Sequence, residues 1–261
     1  MRRKTKKRLG VVAVAVLAVG AAYVTASAVM TSQAPPPAPS IDLAKASQAA
    51  ESAKAERAAS DRAALEAATV PLNFPASGPL RVLFSGDSLS EGYFTTAPEK
   101  GFRPLVTAAL AKSGPIEEVG AYKAGATVQY ITDKFPAPEN IGLAVVELGT
   151  NDSRVEGQAP AFRERYRAYL AGLKAKSPNM QLLCVGAWVP VNQRTIPYND
   201  AIREECAKNG GRFVDLSNIY PITSMRGPEG VQTWGGLTDL GHPNDTGHER
   251  IAAAILDKIR R

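Results

Sequence analysis

The sequence predicts an α/β fold, a three-layer sandwich with a five-stranded parallel sheet between two layers of helices. Three observations carry this prediction. Downstream of Leu80, short apolar runs alternate with longer segments of helical periodicity, as in a sheet whose strands are joined by crossover helices. The runs fall at residues 81–84, 116–119, 143–148, 181–187 and 212–216, which gives five strands. Between the third and fourth, Phe162, Tyr166, Tyr169, Leu170 and Leu173 recur at helical spacing. A parallel sheet is buried on both faces, so the helices must lie on both sides of it.

The 261 residues divide into three regions, 1–30, 31–78 and 79–261. Region 1–30 reads as a signal peptide or signal anchor. Arg2, Arg3, Lys4, Lys6, Lys7 and Arg8 precede "LGVVAVAVLAVGAAYV", and the apolar character continues to Met30. Ala26-Ser27-Ala28 fits a small-x-small cleavage site, whereas residues 9–30 are long enough to cross a hydrocarbon core of about 30 Å. We read the segment as a retained anchor, with cleavage as the alternative. In both cases the basic end stays inside and the rest of the chain is exported. The same basic cluster explains the net charge of +6: 31 Lys and Arg less those six leaves 25 against 25 Asp and Glu. The balance that remains removes the composition argument for a nucleic-acid partner.

Region 31–78 is a connector. "APPPAP" at 34–39 favours a stiff extended spacer, and the Ala-rich stretch from Asp42 to about Thr69 favours a helix with Ser40 as a possible cap. Between Leu43 and Leu65 its only apolar residues are alanines, so the helix is expected to be solvated. "VPLNFP" at 70–75 ends it and leads into the domain.

In region 79–261 the first strand runs into "GDSLSEGYF", residues 86–94. The helix through Phe162 follows Pro160, a residue suited to a first helical turn. In the last segment Thr246 and Glu249 read as a capping box, with Ile251, Ile255 and Ile259 four apart on one helical face. Cys184 and Cys206, the only cysteines, fall in a strand and a helix; export permits a disulfide, and two buried small hydrophobes are the other reading. Two cysteines and two histidines without metal-type spacing form no recognisable metal site.

Loops after parallel strands form the ligand crevice of such a sheet. Four of them carry reactive or hydrogen-bonding residues: Gly86-Asp87-Ser88, Ala124-Gly125-Ala126-Thr127, Gly149-Thr150-Asn151-Asp152, and the Asp239 to Asn244 stretch "DLGHPN". Each alone is a common turn or cap. In this order, over residues 80–261, they resemble the SGNH (GDSL) hydrolase superfamily. The Gly-x-Ser-x-Gly elbow of lipase-type α/β-hydrolases is missing, because Ser90 stands two residues after Ser88.

The resemblance implies a flavodoxin-like sheet and a Ser-His-Asp esterase without metal or cofactor. Ser88 corresponds to the nucleophile, His242 to the general base and acid, and Asp239 to the carboxylate that orients the ring. Asp and His three residues apart in one turn can pair locally, which suits those roles. By position, the oxyanion donors are the N–H groups of Ser88 and Gly125 and the side-chain amide of Asn151; Gly120 is the alternative glycine. Asp87 is implied to fix the turn. His248 reads as a first-turn residue of the final helix, and Asp152 as an alternative carboxylate partner. Trp188 and Trp234 can contact substrate or pack, and Tyr93 and Phe94 can line an acyl pocket.

The expected function is that of an exported, membrane-tethered serine ester hydrolase acting through an acyl-serine intermediate. Acetylated glycans and lipid esters are the two substrate classes. An O-acyltransferase acting on cell-wall glycan and an inactive carbohydrate-binding module on the same fold are the alternatives.

Overall fold

A computed structural model describes residues 43–260. The expected signal or anchor, the "APPPAP" spacer and the Ser40 cap lie outside the described residues. Helix α1 (Leu43–Ala68) occupies the Ala-rich stretch, and all its side chains from Glu51 onward are exposed, as expected for a helix whose apolar residues are mostly alanine. Among the described residues no helix is long and apolar enough to cross a membrane.

Five strands form one parallel sheet: β1 (Leu80–Gly86), β2 (Ile116–Tyr122), β3 (Leu143–Glu147), β4 (Gln181–Val185) and β5 (Arg212–Val214). Their order is β2-β1-β3-β4-β5. All five expected runs are strands, and β3, β4 and β5 stop short of the expected 148, 187 and 216. The chain therefore leaves β1 in one direction for β2 and returns past it to β3. The crevice opens at that switch point, between the C-terminal ends of β1 and β3.

Period-two alternation sends successive side chains of the sheet to two cores. Leu83, Ala144, Val146 and Leu182 pack against α4 (Val128–Lys134), α5 (Ala159–Lys176) and α6 (Ile196–Lys208) through Ile131, Phe162, Tyr166 and Ile202. Val82, Phe84, Val145 and Leu183 share the other core with α3 (Phe102–Ala111) and α7 (Asp245–Leu256), which bring Val106, Leu110, Ile251 and Ile255. A fully buried aliphatic side chain of this kind contributes roughly 1.5–3 kcal/mol of transfer free energy. Cys184 of β4 and Cys206 of α6 are joined by a disulfide, so one helix is bonded to the sheet.

Two expectations at the C-terminal end are corrected. The N-cap of α7 is Asn244, whose side chain accepts the N–H of Gly247 at 3.1 Å, so Thr246 lies inside the helix and forms no capping box. Ile259 is not helical: Ile259–Arg260 pairs in parallel with Val70–Pro71. Val70 is buried, and Leu72 and Phe74 pack on the same core, so packing of the domain begins before residue 79.

Candidate active site

The strand β1 ends in Gly-Asp-Ser for reasons of space and hydrogen bonding. A Cβ on Gly86 would lie 2.0 Å from Ser90 Oγ and 2.8 Å from both the carbonyl oxygen and Oε2 of Glu147. Asp87 then caps the one-turn helix α2 (Ser88–Glu91), its Oδ1 accepting the N–H of Leu89 at 3.1 Å. That cap turns the chain and sets Ser88 on the first helical residue, at the mouth of the crevice.

Ser88 Oγ lies 2.9 Å from His242 Nε2, and His242 Nδ1 lies 2.8 Å from Asp239 Oδ2. The tautomer that fits these partners has Nδ1–H donating to Asp239 and Nε2 accepting from the serine hydroxyl. The other carboxylate oxygen of Asp239 accepts the N–H groups of Gly241 and His242, both at 2.7 Å. Burial works against the charge of Asp239, but the hydrogen bonds from His242 and Gly241 prevail and hold its carboxyl below the usual range. Trp188 Nε1 donates to the Gly241 carbonyl at 2.7 Å and fixes the turn that carries the pair. The ring of Phe94 meets the His242 imidazole edge-on, with centroids 4.7 Å apart.

The structure also separates the candidate oxyanion donors. Gly125 lies in the loop after β2 with φ +77°, facing open space, whereas Gly120 is inside β2 opposite Phe84. Among the described residues the N–H groups of Ser88 and Gly125 have no hydrogen-bond acceptor, and so remain free for a ligand. Asn151 follows β3, and its Nδ2 donates to Asp87 Oδ2 and to the carbonyl of Ala126, each at 3.0 Å. Both protons of that amide are therefore in use, and donation to an oxyanion requires one of them to be shared or released.

A family model described as the GDSL-like lipase/acylhydrolase family matches residues 84–250. The chain belongs to that family. It is a serine carboxylic ester hydrolase on the corresponding α/β fold. Solved structures show the same fold. An esterase, EstA, from Pseudoalteromonas sp. is 16% identical with TM-score 0.53, over 69% of this chain and 96% of its own. An acetyl xylan esterase, AlAXEase, is 21% identical with TM-score 0.51, over 67% and 98%. A lipase/acylhydrolase from Enterococcus faecalis is 18% identical with TM-score 0.52, over 67% and 93%. No curated protein sequence matches.

Behind the Gly86–Ser88 turn the hydrolase buries a carboxyl that sequence reasoning missed. Glu147, the last residue of β3, accepts the N–H of Asp87 at 3.3 Å and the hydroxyl of Ser90 at 3.0 Å on Oε2, while Oε1 is buried without a hydrogen-bond partner among the described residues. Burial, and then the charge of Asp87, push Glu147 well above the usual carboxylate range. Burial also raises Asp87, against the pull of the Leu89 N–H. The signal was a lone glutamate in the apolar run at 143–148.

His248 is in the first turn of α7 as expected, fully buried, and bonded to backbone groups rather than to Ser88. Its Nδ1 accepts the N–H of Phe102 at 3.2 Å, and its Nε2 lies 3.1 Å from the carbonyl of Tyr93. Burial pushes it down to about 4, so it is neutral near pH 7. Asp152 does not partner His242: it accepts the N–H of Val128 at 3.3 Å, and burial pushes it up to about 6. Trp188 is buried, whereas Trp234 is 57% exposed. Beside His242 a cleft of about 200 Å³ is lined by residues including Leu89, Arg154, Trp188, Arg194 and Tyr220.

Proposed function

We propose that the protein is an exported serine ester hydrolase that uses Ser88, His242 and Asp239 as its triad and forms an acyl-serine intermediate. The carrying observation is the continuous contact from Ser88 Oγ through the His242 ring to Asp239, at 2.9 and 2.8 Å. Ser88 Oγ attacks the ester carbonyl carbon and its proton passes to His242 Nε2. The tetrahedral oxyanion is received by the N–H groups of Ser88 and Gly125, joined by Asn151 when its amide releases one partner. Collapse breaks the bond to the alcohol, which leaves with the proton from His242. Water then attacks the acyl-serine, giving its proton to the same nitrogen; collapse breaks the bond to Ser88 Oγ, which takes that proton back, and the carboxylic acid is released.

Short acyl esters, such as acetyl groups on a glycan, suit this site better than long lipid chains. A cleft of about 200 Å³ is below the roughly 300–1,000 Å³ of pockets that enclose drug-sized ligands. The apolar segment 9–30 behind a basic cluster supports export and a membrane tether.

Hydrolysis of p-nitrophenyl acetate, butyrate and octanoate by the full chain and by Ser88→Ala tests the proposal. The acetate and butyrate are expected to be the better substrates, and turnover is expected to fall by on the order of 10³-fold or more in the variant. Equal turnover by both proteins would contradict the role of Ser88. Formation of an acetylated acceptor glycan, in place of free acetate, would redirect the same chemistry to transfer.

A further inference from the structure

The cleft beside His242 carries two exposed arginines, Arg154 and Arg194. Their guanidinium groups form no hydrogen bond or ion pair among the described residues, although the charge of Arg154 acts on Asp87 and that of Arg194 on Tyr198. This contrasts with Arg81, Arg103, Arg163, Arg167, Arg203 and Arg260, each of which pairs with a carboxylate. The one acidic residue of the cleft lining, Asp239, is already engaged by His242 and Gly241.

The two arginines come from different loops whose positions are fixed by the fold. Arg154 ends the short turn Asp152–Arg154 after β3, and Arg194 lies in the loop between β4 and α6. The hydroxyl of Tyr198, in α6, donates to the carbonyl of Val155 at 2.9 Å and so ties the segment following Arg154 to the helix following Arg194. The Asn192 side chain accepts the N–H groups of Arg194 at 3.0 Å and Thr195 at 3.2 Å, which holds the second loop. The backbone segments that carry the two arginines are thus held beside the cleft before any ligand arrives, and the planar guanidinium forks suit an oxyanion.

We infer that the hydrolase selects esters that carry an anionic group, a carboxylate or a phosphate, which lies against Arg154 and Arg194 while the ester carbonyl faces Ser88. The inference rests on the ester-hydrolase reading and specifies its substrate class. The arginines are exposed, so the preference is moderate and sensitive to salt.

The test compares kcat/KM of the full chain for 4-acetoxybenzoate, its neutral methyl ester and 4-acetoxyphenyl phosphate. Mono-4-nitrophenyl adipate and its neutral methyl ester place the charge on the acyl side instead. At low salt at least one anionic ester is expected to exceed its neutral counterpart by about tenfold, chiefly through KM. The ratio should shrink in 0.5 M NaCl and fall to about one in the Arg154→Ala/Arg194→Ala variant. The carboxylate and phosphate arms show which oxyanion fits. Ser88-dependent turnover of the neutral esters with no anionic preference at low salt overturns this inference and leaves the hydrolase intact. Absence of Ser88-dependent turnover for every ester brings down both.

Discussion

Glu147 Oε2 accepts the backbone N–H of Asp87 at 3.3 Å, so a buried acid from β3 holds the residue next to the proposed nucleophile. Both carboxyls are raised by burial; the charge of Asp87 raises Glu147 further, whereas hydrogen bonding to Glu147 pulls Asp87 down. A raised acid contributes stability that is full below its unfolded pKa of about 4 and lost as pH rises through its folded value. Thermal unfolding of Glu147→Gln should therefore show a weaker decline in Tm from pH 5 to pH 8 than the parent protein. Identical slopes would mean that Glu147 binds the same number of protons folded and unfolded in this window, and so is not raised by its burial.

His248 has the opposite sign. Its pKa is lowered to about 4, so its contribution is present above about 6.5 and lost as pH falls towards 4. Because it bridges Phe102 and Tyr93, His248→Ala removes two hydrogen bonds and leaves a cavity, for a loss of about 2–4 kcal/mol at pH 7. Activity should fall as well, since Phe94, beside Tyr93, packs on His242. Chemical denaturation and p-nitrophenyl acetate turnover measure the two effects.

The Asn151 amide spans Asp87 and Ala126. As a proposed oxyanion donor, its removal in Asn151→Ala should lower kcat by about 10²–10³ with a smaller change in KM. Steady-state kinetics on p-nitrophenyl acetate would show this, and a loss confined to KM would assign Asn151 to ground-state binding.

The Cys184–Cys206 bridge closes a loop with sequence separation 22. Loop entropy predicts that Cys184→Ala/Cys206→Ala loses about 3 kcal/mol, or roughly 6–12 °C in Tm. Calorimetry of the two proteins checks the figure, and ester hydrolysis at 25 °C should change little because neither cysteine lines the cleft beside His242.

The sheet was legible because its central strands β1, β3 and β4 are short, buried, largely apolar runs and α5 repeats its apolar residues at helical spacing. The ends were less so. Asn244 and Thr246 are both good caps, and the choice between them depends on tertiary contacts: Asn244 Nδ2 also donates to the carbonyls of Ser224, Arg226 and Gly227. Ile259 keeps the helical spacing of Ile251 and Ile255 yet pairs with Val70, a partner far away in sequence. In the site, Ser88, His242 and Asp239 could be placed from their motifs, and the structure brings them together. Arg154 and Arg194 gave no signal, because an exposed loop arginine has no periodicity and only the folded chain brings the two to one cleft.

The central claim, that Ser88 is the nucleophile, is tested most directly by intact-protein and peptide mass spectrometry after treatment with a p-nitrophenyl phosphonate ester. The full chain should gain one phosphonyl group on the peptide containing Ser88, and both Ser88→Ala and His242→Ala should lose the labelling. A folded, unlabelled full chain, or an adduct on any other residue, would contradict it.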